Sequence, residues 1–172
     1  MLTVVHVNGP INSGKSSVGR ALAGLLPNAA FIDGDDHDAP DDAPLSARIE
    51  VAFQRIETHI ANADGDCLVV GYPLDQVHYD RLRAATMKRG ARLLVVTLAP
   101  PLEVALNDRG TRKLAAGERR RIIEMYEEGY HTRYFSDVVI DTAGLTPQQS
   151  AGQAAEAIRQ VAVSPEEADN DA

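Results

Sequence analysis

The sequence predicts a single α/β domain in which five short parallel strands are covered on both faces by helices. Two observations carry this reading. Short unbroken apolar runs rich in Val, Ile and Leu alternate with segments of helical spacing. Strands buried on both faces read that way, and the helices between them are the crossovers that parallel pairing requires. In addition, the chemically loaded segments 9–16, 33–38 and 71–75 each follow a strand directly. That shared position places them on one rim, beyond the carboxyl ends of the strands, where open parallel sheets take their ligands.

The elements follow in order. Thr3 to Val7 is an apolar β-rich run, and after a Gly-rich turn Val18, Ala21, Leu22, Leu25 and Leu26 keep helical spacing up to a stop at Pro27-Asn28. Ala29 to Ile32 forms the second strand, and an Asp/Gly/Pro-rich loop leads to a helix marked by Ile49, Phe53, Ile56 and Ile60. Cys67 to Val70 is the third strand. The helix after it, Gln76 to Arg89, meets Gly90 at the position of a left-handed cap. Leu93 to Leu98 is the most apolar strand, and Pro100-Pro101 opens another helix. A basic helix with Ile122, Ile123, Met125 and Tyr126 precedes the last strand, Val138 to Ile140, and Ala151, Ala154, Ala155, Ile158 and Val161 mark the final helix. The expected domain is 1–163, with a short lid at about 109–118 and a disordered acidic tail at 164–172.

At 172 residues, 44% hydrophobic and 24% charged, the chain has the composition of one folded domain. It lacks an apolar stretch long enough to span a membrane, and its N-terminus reads as a strand, not a signal peptide. A lone Cys67 excludes an internal disulfide and points to a reducing, cytoplasmic setting. The net charge of −8 argues against nucleic-acid and membrane partners. That charge is concentrated: six acids lie in 33–42 and four in the tail, leaving 15 acids against 17 bases elsewhere. Residues 109–121 are locally basic, which suits a phosphate-bearing small ligand or a solvated helix face.

The strongest motif is Gly9-Pro10-Ile11-Asn12-Ser13-Gly14-Lys15-Ser16, the Walker A pattern G-x-x-x-x-G-K-[ST], followed by Ser17. Its glycines let the backbone curl so that N–H groups converge on phosphate oxygens, Lys15 neutralises the outer phosphates, and the Ser16 hydroxyl ligates Mg²⁺. The helix that follows turns its positive end to the same anion. Residues 9–17 are therefore the expected nucleotide site, with ATP and Mg²⁺ as cofactors. In Asp33-Gly34-Asp35, Asp33 is the expected outer ligand of the metal, and Asp35 the group that orients or deprotonates an attacking hydroxyl. The two are expected to point the same way from an extended segment, with Gly34 opening the backbone between them.

These residues resemble the small P-loop kinases of metabolites, among them the gluconate kinases, shikimate kinases and chloramphenicol phosphotransferases. The likeness runs to about residue 163 and implies the three-layer P-loop NTPase fold and transfer of phosphate from ATP to a hydroxyl of a small metabolite or antibiotic. Asp33-Gly34-Asp35 looks like the D-x-D that follows the second strand in those enzymes, the second carboxylate lying against the acceptor and the first near magnesium. Pro44-Leu45 with Arg48, and Tyr79-Asp80-Arg81-Leu82-Arg83, echo the gluconate kinases. Gly71-Tyr72-Pro73 is similar to the G-F-P of nucleoside monophosphate kinases, but Leu74 stands where those enzymes carry an arginine.

On one helix Arg48, Arg55 and His59 fall within about 40° of each other, a stripe suited to an anionic acceptor or to solvent. Shikimate kinases use an arginine on the equivalent helix, which implies a substrate role for Arg48 or Arg55; Tyr72 is expected to pack against the acceptor. Arg109-Gly110-Thr111-Arg112-Lys113 resembles the mobile lid, so Arg109 and Arg112 are the expected catalytic cations beside Lys15 and Asp35. The Arg119–Arg121 run reads as helix surface. The partner is a hydroxylated small molecule and the protein a monomer or homodimer. Two other functions compete: a nucleotide-binding regulatory module with little chemistry, and a nucleoside monophosphate kinase.

Overall fold

The computed structural model describes residues 1–110 and 112–163; Thr111, within the expected lid, and the expected tail at 164–172 lie outside the described residues. The five expected strands are present as β1 (Thr3–Asn8), β2 (Ala29–Asp33), β3 (Cys67–Gly71), β4 (Arg92–Leu98) and β5 (Val138–Ile140). All pair in parallel, in the order β2-β3-β1-β4-β5. The helices are α1 (Lys15–Ala23), α2 (Leu45–Asn62), α3 (Gln76–Arg89), α4 (Leu102–Ala105), α5 (Ala116–Glu127) and α6 (Pro147–Val163).

Alternation along the central strand divides the core. Val4 of β1 faces Phe53, Ile56 and Ile60 of α2 and Leu82 of α3. Val5 and Val7 face Val18 and Leu22 of α1 and the alanine stripe of α6. The inner strands β3, β1 and β4 are sandwiched, which is why their sequences are apolar at successive positions, whereas the edge strands β2 and β5 leave Ala30 and Val139 exposed. A third, smaller cluster joins Ala105, Leu114 and Ile122 to Ile11 of the Gly-rich loop, so the α4–α5 region packs directly on that loop.

The first helix ends earlier than its leucine spacing predicts. The Gly24 amide bonds back to the Arg20 carbonyl and the Leu25 amide to the Leu22 carbonyl, closing α1 at Ala23; Leu25 is exposed and Leu26 packs on the core from outside the helix. Glycine is a poor helix former, and the chain has four more residues in which to reach β2. Gly90 caps α3 in the left-handed conformation, φ 66°, as its position implies.

Register fixes what meets at the rim. Asp33 pairs with Gly71, and Gly71 with Val7, so the ends of β2, β3 and β1 are level. At ~4.8 Å per strand, the acidic turn stands about 10 Å across the sheet from the start of the Gly-rich loop. Pairing continues beyond the strands, where the Gly34 amide donates to Gly71 O (2.9 Å) and the Tyr72 amide to Val7 O (3.2 Å).

Candidate active site

The Gly-rich loop leaves β1 at Asn8 and enters α1 at Lys15. Its curl needs unusual backbone at three points, Gly9 with φ 154°, Asn12 with φ 65° and Gly14 with φ 98°. Asn12 tolerates the left-handed region, as asparagine does more readily than most residues. Its side chain also has a second use, since Nδ2 donates to the carbonyls of Ala105 and Asn107, both at 2.9 Å. The loop is thereby tied to the segment leading into the lid. From the other side the Ile11 amide donates to Met125 Sδ.

A cavity of about 870 Å³ opens beside this loop at the carboxyl rim. Ile11 through Ser17 line it, including Lys15 and Ser16. Gly9 and Pro10, expected in the nucleotide site with them, are buried and do not line it. They act on loop shape: a Cβ at Gly9 would collide with Ser13 and with the Leu98 carbonyl, and Pro10 O accepts a hydrogen bond from Lys15 Nζ (2.8 Å). Burial pushes the Lys15 ammonium down to about 8, against the attraction of Asp35 and with repulsion from Arg112. Lys15, Asp35 and Arg112 thus lie within electrostatic reach of one another, and all three border the same cavity. Arg109 borders it too, and its guanidinium donates to Asn12 O (3.0 Å).

The lid segment is knitted at its base. Arg109 and Arg112 form an antiparallel bridge around Gly110, and Asp108 accepts from the Leu114 amide and from Arg119. Arg112 is paired with Glu118 at 2.7 Å. Two members of the Arg119–Arg121 run depart from the surface reading. Arg119 donates to Leu106 O and Leu114 O, and Arg121 borders the cavity while bonded to Glu124 and Glu128.

The acidic turn differs from its expected geometry. Gly34 and Asp35 form a turn, not an extended segment, and Asp33 Oδ1 accepts the Asp35 amide at 3.1 Å. Asp35 projects into the cavity lining, whereas Asp33 does not. The close approach at Gly34 is against Tyr72, because a Cβ there would overlap the Tyr72 ring. Glycine is required at this position to let the turn lie on the aromatic floor.

On the acceptor side, Arg48 and Tyr72 border the cavity; Arg55 does not. Arg55 instead donates to Asp33 O (2.8 Å) and lies 3.7 Å from the Asp36 carboxylate, bracing the acidic turn from behind. The reason is helical rise. Seven residues at 1.5 Å carry Arg55 about 10 Å down α2, so only the N-terminal end of the basic stripe reaches the rim. Arg48 Nη1 donates to Asp41 O, and its Nε is buried without a partner. Tyr72 is 8% exposed, and burial pushes its phenol up to about 12.

Several positioning groups were not legible beforehand. Asn8, fully buried at the end of β1, donates to Thr97 Oγ1 and Tyr130 O and accepts from the Leu74 amide, joining four rim segments. Arg133 donates to Leu74 O and lies over the Tyr130 ring. Leu74 itself is buried and outside the cavity lining. Thr142, after β5, borders the cavity with a buried hydroxyl that has no partner. Asn8, Leu74 and Thr142 share one sequence signal, a place at or just past a strand end, and Arg133, between α5 and β5, has none. Cys67 is away from this cavity, and burial pushes its thiol up to about 11. No group of three or more His, Cys, Asp or Glu among the described residues is placed to hold a metal, and no described helix is long and apolar enough to cross a membrane.

No family model matches the chain, and no curated protein matches it by sequence. Solved structures do. A tunicamycin resistance protein from Deinococcus radiodurans is 24% identical over 95% of this chain and 98% of its own, with a TM-score of 0.61. A gluconokinase from Sinorhizobium meliloti is 20% identical over 93% of each chain, with a TM-score of 0.75. A shikimate kinase from Acinetobacter baumannii, solved with shikimate, is 21% identical over 95% of this chain and 97% of its own, with a TM-score of 0.62. The likeness is one of fold: the chain folds as the small P-loop kinases do, in a three-layer α/β domain with a five-stranded parallel sheet, as its motifs implied.

Proposed function

We propose that this protein is an ATP- and Mg²⁺-dependent phosphotransferase acting on a hydroxyl of a small metabolite or antibiotic in the cytoplasm. One observation carries the reading. Lys15, Asp35, Arg109 and Arg112 border one cavity at the mouth of a Walker A loop. A protein that only holds a nucleotide has no use for the carboxylate or for two lid arginines.

The residues fit a nucleotide. The loop backbone from Ile11 to Ser17 faces the cavity at the start of α1, where N–H groups and the helix dipole favour phosphate. Thr142, with its orphaned hydroxyl just after β5, borders the same cavity and offers a polar contact to the ligand. Mg²⁺ would be held by the Ser16 hydroxyl together with phosphate oxygens, with Asp33 acting through water; when bound it neutralises charge on the transferring group. Asp35 holds the acceptor hydroxyl and takes its proton as that oxygen bonds to the terminal phosphorus and the bond to ADP breaks. Arg109 and Arg112 move with the 109–118 lid to exclude water and balance the developing charge, Arg112 exchanging Glu118 for phosphate. Arg48 and Tyr72 bound the acceptor, and Arg55 supports the turn that carries Asp35. The buried, inward-bonded Leu74 supplies no cation for an acceptor phosphate, which disfavours a nucleoside monophosphate.

The test is ADP release from ATP and Mg²⁺ across sugar acids, polyols, shikimate, aminoglycosides, phenicols and nucleoside monophosphates. Stimulation by a hydroxylated compound is the expected result. Tight ATP binding without stimulation by any of them contradicts the kinase reading in favour of a binding module.

A further inference from the structure

The cavity has a second polar end that the transfer chemistry does not use. Asp75 caps α3 by accepting the His78 amide at 2.9 Å, and the same carboxylate oxygen lies 2.6 Å from His78 Nδ1. His78 is further fixed by stacking on Phe53, ring centroids 4.0 Å apart at 16°. With Nδ1 committed to Asp75, Nε2 is the ring nitrogen left for a ligand, and no hydrogen bond reaches it among the described residues. Both Asp75 and His78 border the cavity.

Between this pair and the acidic turn runs an aromatic floor. Gly34, next to Asp35, presses on Tyr72; Tyr72 meets Phe53 edge to face at 5.4 Å; Phe53 stacks on His78. The two polar ends are therefore separated by the rings of Tyr72 and Phe53. The charge balance around the floor is close to neutral. Arg48 is the cation beside the floor, with Asp35 and Asp75 at the floor's two ends; Lys15, Arg109 and Arg112 also border the cavity, but at the Walker A loop and the lid, and Arg121 is held by Glu124 and Glu128. Beside the floor a dianionic acceptor meets a single arginine against two carboxylates.

We propose that Asp75 and His78 form an acceptor-recognition station at the far end of this floor, selecting an uncharged molecule that carries an apolar ring and a second hydrogen-bonding group besides the hydroxyl phosphorylated. Asp75 sets the His78 ring nitrogen that faces the ligand, and His78 makes the contact. The proposal rests on the kinase reading for the identity of the Asp35 end, while the station itself is a binding site that can be read without turnover.

The probes are 4-hydroxyphenyl and 4-nitrophenyl β-D-glucopyranoside as uncharged polyols whose apolar ring carries a further hydrogen-bonding group, and D-gluconate, shikimate and uridine monophosphate as anionic ones. Turnover is read as ADP release, and binding by saturation-transfer NMR, for wild type, His78→Leu and His78→Gln. Thermal melting and ATP binding report whether the variants fold. An uncharged ring probe should bind and turn over. His78→Leu should raise its KM about tenfold, the loss of one hydrogen bond, with kcat and ATP binding held, and His78→Gln should restore most of the affinity. A preference for the anionic probes, or a KM unmoved by His78→Leu, overturns the station while leaving a kinase. Binding of a ring probe that needs His78 but never yields ADP keeps the station and overturns the kinase reading. No binding of any ring probe overturns the station, and no turnover with any probe, ring-bearing or anionic, overturns the kinase reading as well.

Discussion

His6 makes the fold sensitive to acid in a way that can be calculated. It lies within β1, fully buried, with Nε2 2.8 Å from the Tyr72 carbonyl and Nδ1 buried without a partner. Burial lowers its pKa from 6.5 to about 4, the Tyr72 bond opposing and the Lys15 charge assisting. The unfolded chain takes a proton near pH 6.5 that the folded chain refuses until about pH 4. Stability from this residue is therefore full above pH 6.5 and lost as pH falls toward 4. Integrated over that window, the difference is about 3 kcal/mol, a large share of the stability of a domain this size. His59 and His131, also lowered by burial, act in the same direction, so the contribution of His6 has to be read by difference. His6→Gln keeps an N–H for the Tyr72 carbonyl and removes the titration. Urea unfolding at pH 8, 6, 5 and 4 should show the variant gaining on wild type by about 3 kcal/mol between the ends of the series. A difference constant with pH would refute the argument, because it would mean that His6 accepts its proton inside the fold.

Two further outcomes are expected. Gly34→Ala must displace the Tyr72 ring, costing about 1–3 kcal/mol in urea unfolding and raising acceptor KM, and Tyr72→Ala in the same chain should relieve the stability loss. Lys15, at about 8 in the free protein, should be driven back toward full protonation by bound phosphates. Calorimetry of ATP binding at pH 8 in buffers of different ionisation enthalpy should record uptake of roughly half a proton, absent in Lys15→Arg.

The sheet and the nucleotide loop were readable because their signals are local. Apolar runs in β1, β3 and β4 and the spacing of Gly9, Gly14 and Lys15 need no knowledge of distant residues. Asp33-Gly34-Asp35 was placed on the right rim for the same reason, yet its geometry was not, since the turn is set by the Gly71 carbonyl and by the Tyr72 ring pressed on Gly34. Arg55 shows the limit of helical angles: a wheel gives direction around α2 but not distance along it, and the guanidinium ends on the Asp33 carbonyl instead of in the cavity. Asn8 and the Asp75–His78 pair were invisible for a third reason. The bonds of Asn8 reach Leu74, Thr97 and Tyr130, and His78 owes its position to Phe53, so each depends on segments that meet only after the sheet has formed.

The central claim is that Asp35 performs chemistry in a site that already binds nucleotide. The most direct measurement compares wild type with Asp35→Asn for ATP affinity and for ADP release driven by the acceptor that the panel identifies. The account predicts ATP affinity within about twofold of wild type and turnover lower by about 10²–10⁴, the range expected for losing a general base. Weakened ATP binding with undiminished turnover per bound nucleotide would contradict it, making Asp35 a part of the nucleotide site and leaving the acceptor hydroxyl without its base.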